Sequence, residues 1–175
     1  MSYQALYVSA ELENVEKIEM ASAMERIRID VQQGNSGERR NNIVIDTTEE
    51  HTLPSGHGVA HLALRFAKDD KQACNASVVD LSHDGFTGPF TREHADRGDA
   101  APVVALTCRG LTPVSFYPEG GWRVTSTGGT VFEDVDLSER EWTAYCEKLN
   151  DVVGVYNFQA EWHTFKPNTN RKNKR

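Results

Sequence analysis

The chain has 175 residues, 38% of them hydrophobic, with a formal net charge of −7, a pI near 5.4 and a mean hydropathy of −0.56. That length supports one domain, or two small lobes sharing a core, and the acidic balance excludes a broad footprint for nucleic acid or an anionic membrane. Three widely spaced cysteines form no disulfide framework, the N-terminus lacks the apolar segment of a signal peptide, and no run approaches the ~18 apolar residues of a membrane span; the expected location is the cytoplasm, with nuclear access as an alternative.

Leu6, Val8, Ala10 and Leu12 alternate with Tyr7, Ser9, Glu11 and Glu13, which predicts a strand with one apolar face. Ile27, Ile29 and Val31 predict a second, and Ile43–Ile45 a third. Between these two lies Gln32-Gln33-Gly34-Asn35-Ser36-Gly37-Glu38, read as a hairpin turn with two glycines bracketing Asn-Ser. A polar loop with Pro54, Gly56 and Gly58 follows, then strand patterns at Ala60–Phe66 and around Val78 and Val79.

Residues 85–101 are rich in glycine and charge and read as a linker between lobes. Strand character returns through Val104, Leu106 and Cys108. Residues 110–122 read as a turn-rich segment, Ser126–Thr130 as a hairpin turn, and the stretch after it as another short strand. Ser138-Glu139-Arg140-Glu141 has the form of a capping box. Trp142, Tyr145, Cys146 and Leu149 follow at helical spacing, which predicts a helix over 138–150. Tyr156, Phe158, Ala160 and Trp162 form one face of a closing strand. The sum is a mainly β protein: two small β subdomains of sandwich or barrel type, 1–84 and 102–165, with one C-terminal helix and a basic tail over 166–175.

Few constellations carry chemistry. His51, His57 and His61 lie in a polar loop and on the polar face of a strand, at a spacing that does not converge on a metal; solvated histidines are the plainer reading. Cys108 and Cys146 fall on apolar faces and read as core, whereas Cys74 falls in a polar turn, where an exposed, reactive thiol is expected if there is one. Glu133, Asp134 and Asp136 read as a solvated acidic edge. Phosphate-binding loops, dinucleotide fingerprints, zinc-protease helices and serine elbows are missing from the sequence.

Cys108-Arg109-Gly110-Leu111-Thr112-Pro113-Val114-Ser115-Phe116 resembles a CRGLEPVDF-type signature. Gly129-Thr130-Val131-Phe132, Asp134-Val135-Asp136-Leu137, Glu141-Trp142, Val153-Gly154-Val155-Tyr156 and, near the start, Ala10–Val15 continue the likeness in order. Together they resemble the eukaryotic CXXC-motif zinc-binding family, a domain of unknown function. The resemblance implies a mostly β fold of two subdomains, with zinc held between two C-x-x-C knuckles. At the knuckle positions this sequence departs: Gln33 and Ser36 stand in the first, and Phe66 and Asp69 in the second. Neutral glutamine, serine and phenylalanine cannot supply the affinity of four thiolates, so no zinc and no other cofactor is expected. A structural zinc contributes on the order of 10 kcal/mol in small zinc peptides. Packing of Phe66, at roughly 2–3 kcal/mol, is the expected partial replacement, with polar contacts from Gln33 and Asp69.

The expectation for function is therefore a non-enzymatic, zinc-free scaffold or adaptor that binds another protein. Phe90 and Trp122 are expected to be exposed for that purpose, with Phe116 and Tyr117 as further candidates whose plainer role is packing. Two alternatives stand: an RNA-associated subunit using Arg171, Lys172, Lys174 and Arg175, with Arg39-Arg40 as a second basic pair, and a thiol enzyme or redox protein using Cys74.

Overall fold

The computed structural model describes residues 2–53, 58–68 and 73–167. In chain order they form β1 (Tyr3–Glu13), β2 (Val15–Glu19), a 3-10 turn at Ala21–Met24, β3 (Arg26–Gln33) and β4 (Arg39–Asp46). Next come β5 (His51–Thr52), β6 (Val59–Ala60), β7 (Leu62–Leu64), β8 (Cys74–Val79), β9 (Phe90–Thr91) and the helix α1 (Arg92–Arg97). The chain continues as β10 (Ala101–Arg109), β11 (Leu111–Phe116), β12 (Trp122–Ser126), β13 (Val131–Val135), β14 (Trp142–Cys146) and β15 (Asp151–Phe165).

The fold is mainly β, as the alternating patterns require. One sheet runs β14-β15-β1-β10-β8-β7, a second β13-β12-β2-β9 and a third β11-β3-β4. The six-stranded sheet takes β1, β7 and β8 from before residue 84 and β10, β14 and β15 from residue 101 onward. The neighbours β1, β10 and β15 pair antiparallel. Trp122 on β12 lies where the sheets converge. Its ring meets Phe158 on β15 edge-on at 5.3 Å and Phe116 on β11 at 6.4 Å. The Trp162 indole on β15 also donates to the Ser115 carbonyl on β11, at 3.1 Å.

Three expectations are corrected. The helix over 138–150 is a hairpin: Trp142 pairs with Val155 and Cys146 with Asp151. Ser138 is bound to Asp136 instead of capping a helix, and Arg140 takes a left-handed backbone, φ 61°, which stops helical propagation. The run Trp-Thr-Ala-Tyr-Cys suits a pleated surface, and pairing with β15 overrides the helical spacing. The helix is instead α1, inside the segment 85–101 expected to be a linker. Thr91 caps its start through His94, and Gly98 its end at φ 71°. Finally, the turn-rich segment contains β11. Pro113 sits at the register shift of that edge strand, where a missing N–H is tolerated.

Candidate functional site

The β3–β4 turn holds Gln33 and Ser36, the residues that the resemblance sets at the first knuckle. The Gln33 N–H donates to the Glu38 carbonyl at 2.8 Å, and the Gly37 N–H to the Gln33 carbonyl at 3.0 Å. Gly37 has φ 70°, a left-handed conformation that a glycine adopts without a Cβ clash. Ser36 Oγ donates to Gln33 Oε1 at 2.6 Å and accepts from the Glu38 N–H at 3.1 Å. The Gln33 and Ser36 side chains are therefore hydrogen-bonded to each other.

The turn docks against the segment between β10 and β11. The Gly34 N–H donates to the Gly110 carbonyl at 3.0 Å, in the turn between β10 and β11. The Cys74 thiol, at the start of β8, donates to the same carbonyl at 3.5 Å. Phe66, a second-knuckle position, is buried. Its carbonyl accepts from Arg40 Nη2 at 2.7 Å, and the Arg40 guanidinium carbon lies 5.5 Å from its ring centroid. Arg40 Nη1 reaches back to Glu38 at 2.8 Å. Asp69 lies outside the described residues.

The donors described at Gln33, Ser36 and Phe66 do not fit a structural zinc. Such an ion takes thiolate sulfur, imidazole nitrogen or carboxylate oxygen in a tetrahedron. Gln33 and Ser36 offer neutral oxygens already engaged together, Phe66 offers none, and a guanidinium lies over Phe66. Among the described residues no group of three or more His, Cys, Asp or Glu is placed to hold a metal ion. The histidines have local engagements: the Val78 N–H donates to His61 Nδ1 at 3.0 Å, and His51 lies 3.7 Å from Glu49. His57 is outside the described residues.

The other candidates are redistributed by burial. Phe90 and Trp122, expected to be exposed, are both 0% exposed, because each is a strand residue facing the core rather than a loop residue. Phe116 is buried as well. Tyr117 is exposed at its ring, while its hydroxyl donates to Asp30 at 2.7 Å. Cys74, expected to be exposed, is buried; it opens a strand instead of lying in the polar turn. Burial pushes the Cys108 thiol up to about 12. Cys146 is also buried. The hydrogen bond to Thr130, first, and the backbone N–H of Leu149 hold its thiol below the ordinary range. Arg171, Lys172, Lys174 and Arg175 lie outside the described residues.

Two features escape the sequence reading. Asp30 alternates in sequence with the apolar Ile27, Ile29 and Val31 of β3, yet it too is buried. It accepts from Ser115 Oγ at 2.6 Å, the Tyr117 hydroxyl and the Asn42 N–H at 2.8 Å. The Ser115 bond is the main cause that holds its carboxyl below the usual range. Register shifts at Ile29/Val31 and Pro113/Ser115 turn Asp30 inward, and no alternation pattern announces a bulge. The second feature is Tyr145 on β14. It is 57% exposed and pairs across the strand with Val152, also exposed, at the rim of the six-stranded sheet.

Known proteins place this architecture. UPF0587 protein CG4646 of Drosophila melanogaster is 33% identical over 90% of this chain and 94% of its own length. The CXXC motif containing zinc binding protein of Homo sapiens is 29% identical over 87% of this chain and 92% of its own. Among solved structures, a hypothetical protein from Plasmodium falciparum superposes with a TM-score of 0.82 at 23% identity, over 93% of this chain and all of its own. The structure of C1orf123 superposes at 0.79 and 27%, over 92% and 98%. Residues 5–163 match the family described as CXXC motif containing zinc binding protein, eukaryotic. The chain belongs to that family.

Proposed function

We propose that this chain is a zinc-free, non-catalytic member of its family that acts as a scaffold, binding a protein partner along the β14 edge. The zinc-free part rests on the donor chemistry of the Gln33, Ser36 and Phe66 positions. The binding part is carried by one observation: Tyr145 and Val152 stand exposed and paired on β14 and β15, and among the described residues no strand pairs with the outer edge of β14. A sheet edge offers unpaired backbone donors and acceptors, and extended segments pair with such edges. Glu139, Glu141, Glu147 and Asp151 are exposed in this stretch and outnumber its exposed cations, Arg140 and Lys148, so the occupant proposed is a partner offering an extended segment with a basic excess.

A thiol enzyme is disfavoured by the same burial that raises Cys108 and encloses Cys74 and Cys146. For the RNA reading, the Arg171–Arg175 tail lies outside the described residues, and Arg40 of the Arg39-Arg40 pair is engaged with Glu38 and the Phe66 carbonyl. The experiment is affinity purification of the wild-type chain beside Tyr145→Glu, followed by titration of synthetic segments derived from any stoichiometric partner. The expected result is a partner whose basic segment binds the wild type and loses at least about tenfold in affinity for Tyr145→Glu. Equal binding by both proteins, or binding that needs the Arg171–Arg175 tail and RNA, overturns it.

A further inference from the structure

We propose that Arg40 does at this corner what a metal ion does between two knuckles: it joins the β3–β4 turn to the Phe66 segment through one central cation. This rests on the zinc-free reading above. A tetrahedral ion fastens two turns by bonding to both from a single point. The Arg40 guanidinium is likewise bonded on both sides. One arm reaches Glu38, two residues past Ser36, at 2.8 Å. The other donates to the Phe66 carbonyl at 2.7 Å, across 26 positions of sequence. Its face covers the Phe66 ring at 5.5 Å.

Arginine is suited to this by shape. Its fork of N–H donors is rigid, so two arms can serve two partners while the plane stacks on an aromatic ring. The ring beneath is buried, which strengthens the cation–π contact, while 40% exposure of the Arg40 side chain spares it most of the desolvation cost of a buried charge. A lysine ammonium can make one of these contacts well, but not all three. The arrangement also explains the aromatic residue at a former ligand position: Phe66 offers the guanidinium a face as well as filling volume. The same charge repels a divalent cation, so keeping Arg40 and binding zinc here work against each other.

The test measures thermal unfolding and amide exchange of the full chain for wild type, Arg40→Met, Arg40→Lys and, as a control on the same sheet, Arg26→Met, whose side chain is 68% exposed. Arg40→Met is expected to lower Tm by about 4–8 °C and speed exchange at Gly34 and Gly37 at least about tenfold, leaving β1 and β10 protected. Arg40→Lys is expected to recover less than half of that loss, and Arg26→Met to shift Tm by under ~2 °C. Should Arg40→Met fail to fold, Arg40→Lys decides: a lowered Tm supports the assignment and a wild-type Tm overturns it. Zinc content separates the two claims. About one zinc per wild-type chain, with Tm falling under a chelator, overturns the zinc-free reading itself. A zinc-free chain in which Arg40→Met melts like the wild type overturns the Arg40 assignment alone.

Discussion

The sulfur of Cys74 packs against Gly110 so closely that a Cβ added to the glycine would lie 2.9 Å from it, while the thiol donates to the Gly110 carbonyl. Gly110 also has φ 80°, a conformation other residues adopt at a cost of about 1–2 kcal/mol. Gly110→Ala is therefore expected to lose about 2 kcal/mol, a fall in Tm of roughly 4–8 °C. Adding Cys74→Ala should make the double variant less unstable than the summed single losses, because it removes the contacting sulfur. Chemical denaturation of the four proteins checks this; strict additivity would sink the steric part.

Asp30 supports a prediction about acid. Its carboxyl is held below the ordinary value by Ser115, Tyr117 and the Asn42 N–H. A depressed folded pKa adds stability that is present above the unfolded value, 3.8, and is lost as pH falls through the folded value. Asp30→Asn should therefore cost about 2 kcal/mol at pH 7 and flatten the decline of stability below about pH 4. The decline should not vanish, because Asp46, Asp80 and Asp136 are depressed too, each mainly by a neighbouring hydroxyl. Denaturant midpoints from pH 2 to 7 read both effects. An equally steep acid limb in the variant would contradict the assignment.

Trp122 joins β12 to β11 and β15, yet its indole nitrogen is buried without a hydrogen-bond partner. Trp122→Ala should cost about 3–5 kcal/mol. Trp122→Phe should cost less than half of that, because it keeps an aromatic ring and removes the unsatisfied donor. Calorimetric melting of the two variants distinguishes them. Equal losses would mean that the indole nitrogen is satisfied in solution.

The thiols give a chemical check. Cys74 and Cys146 are buried and Cys108 is pushed up to about 12. Alkylation at pH 7 should be slow at all three in the native chain and fast once it is unfolded. One cysteine labelling at the rate of a free thiol would reopen the enzyme reading.

The parts of the fold that were legible in sequence are those where one rule governs. Leu6–Leu12 and Ile27–Val31 alternate apolar with polar residues, and both are strands. The β2 strand was not legible. Left-handed Asn14, φ 54°, turns the chain out of β1, so Val15 and Ile18 are buried without strict alternation. The 142–149 stretch satisfies helical and strand spacing together, and only its partner β15 decides between them. The turn at Gln33–Glu38 was legible because glycine spacing is local. Arg40 was not, because its meaning depends on Phe66, far away in sequence. Asp30 was hidden by bulges that composition does not reveal.

The corner of Gln33, Ser36 and Phe66 is proposed to hold together without a metal. Zinc quantification on the full chain, purified without a metal-affinity tag or chelator and melted with and without added chelator, tests it most directly. The expected result is zinc well below one per chain, roughly 0.1 or less, and a Tm that the chelator leaves unchanged. About one zinc per chain, with a Tm that drops when it is stripped, would contradict the account.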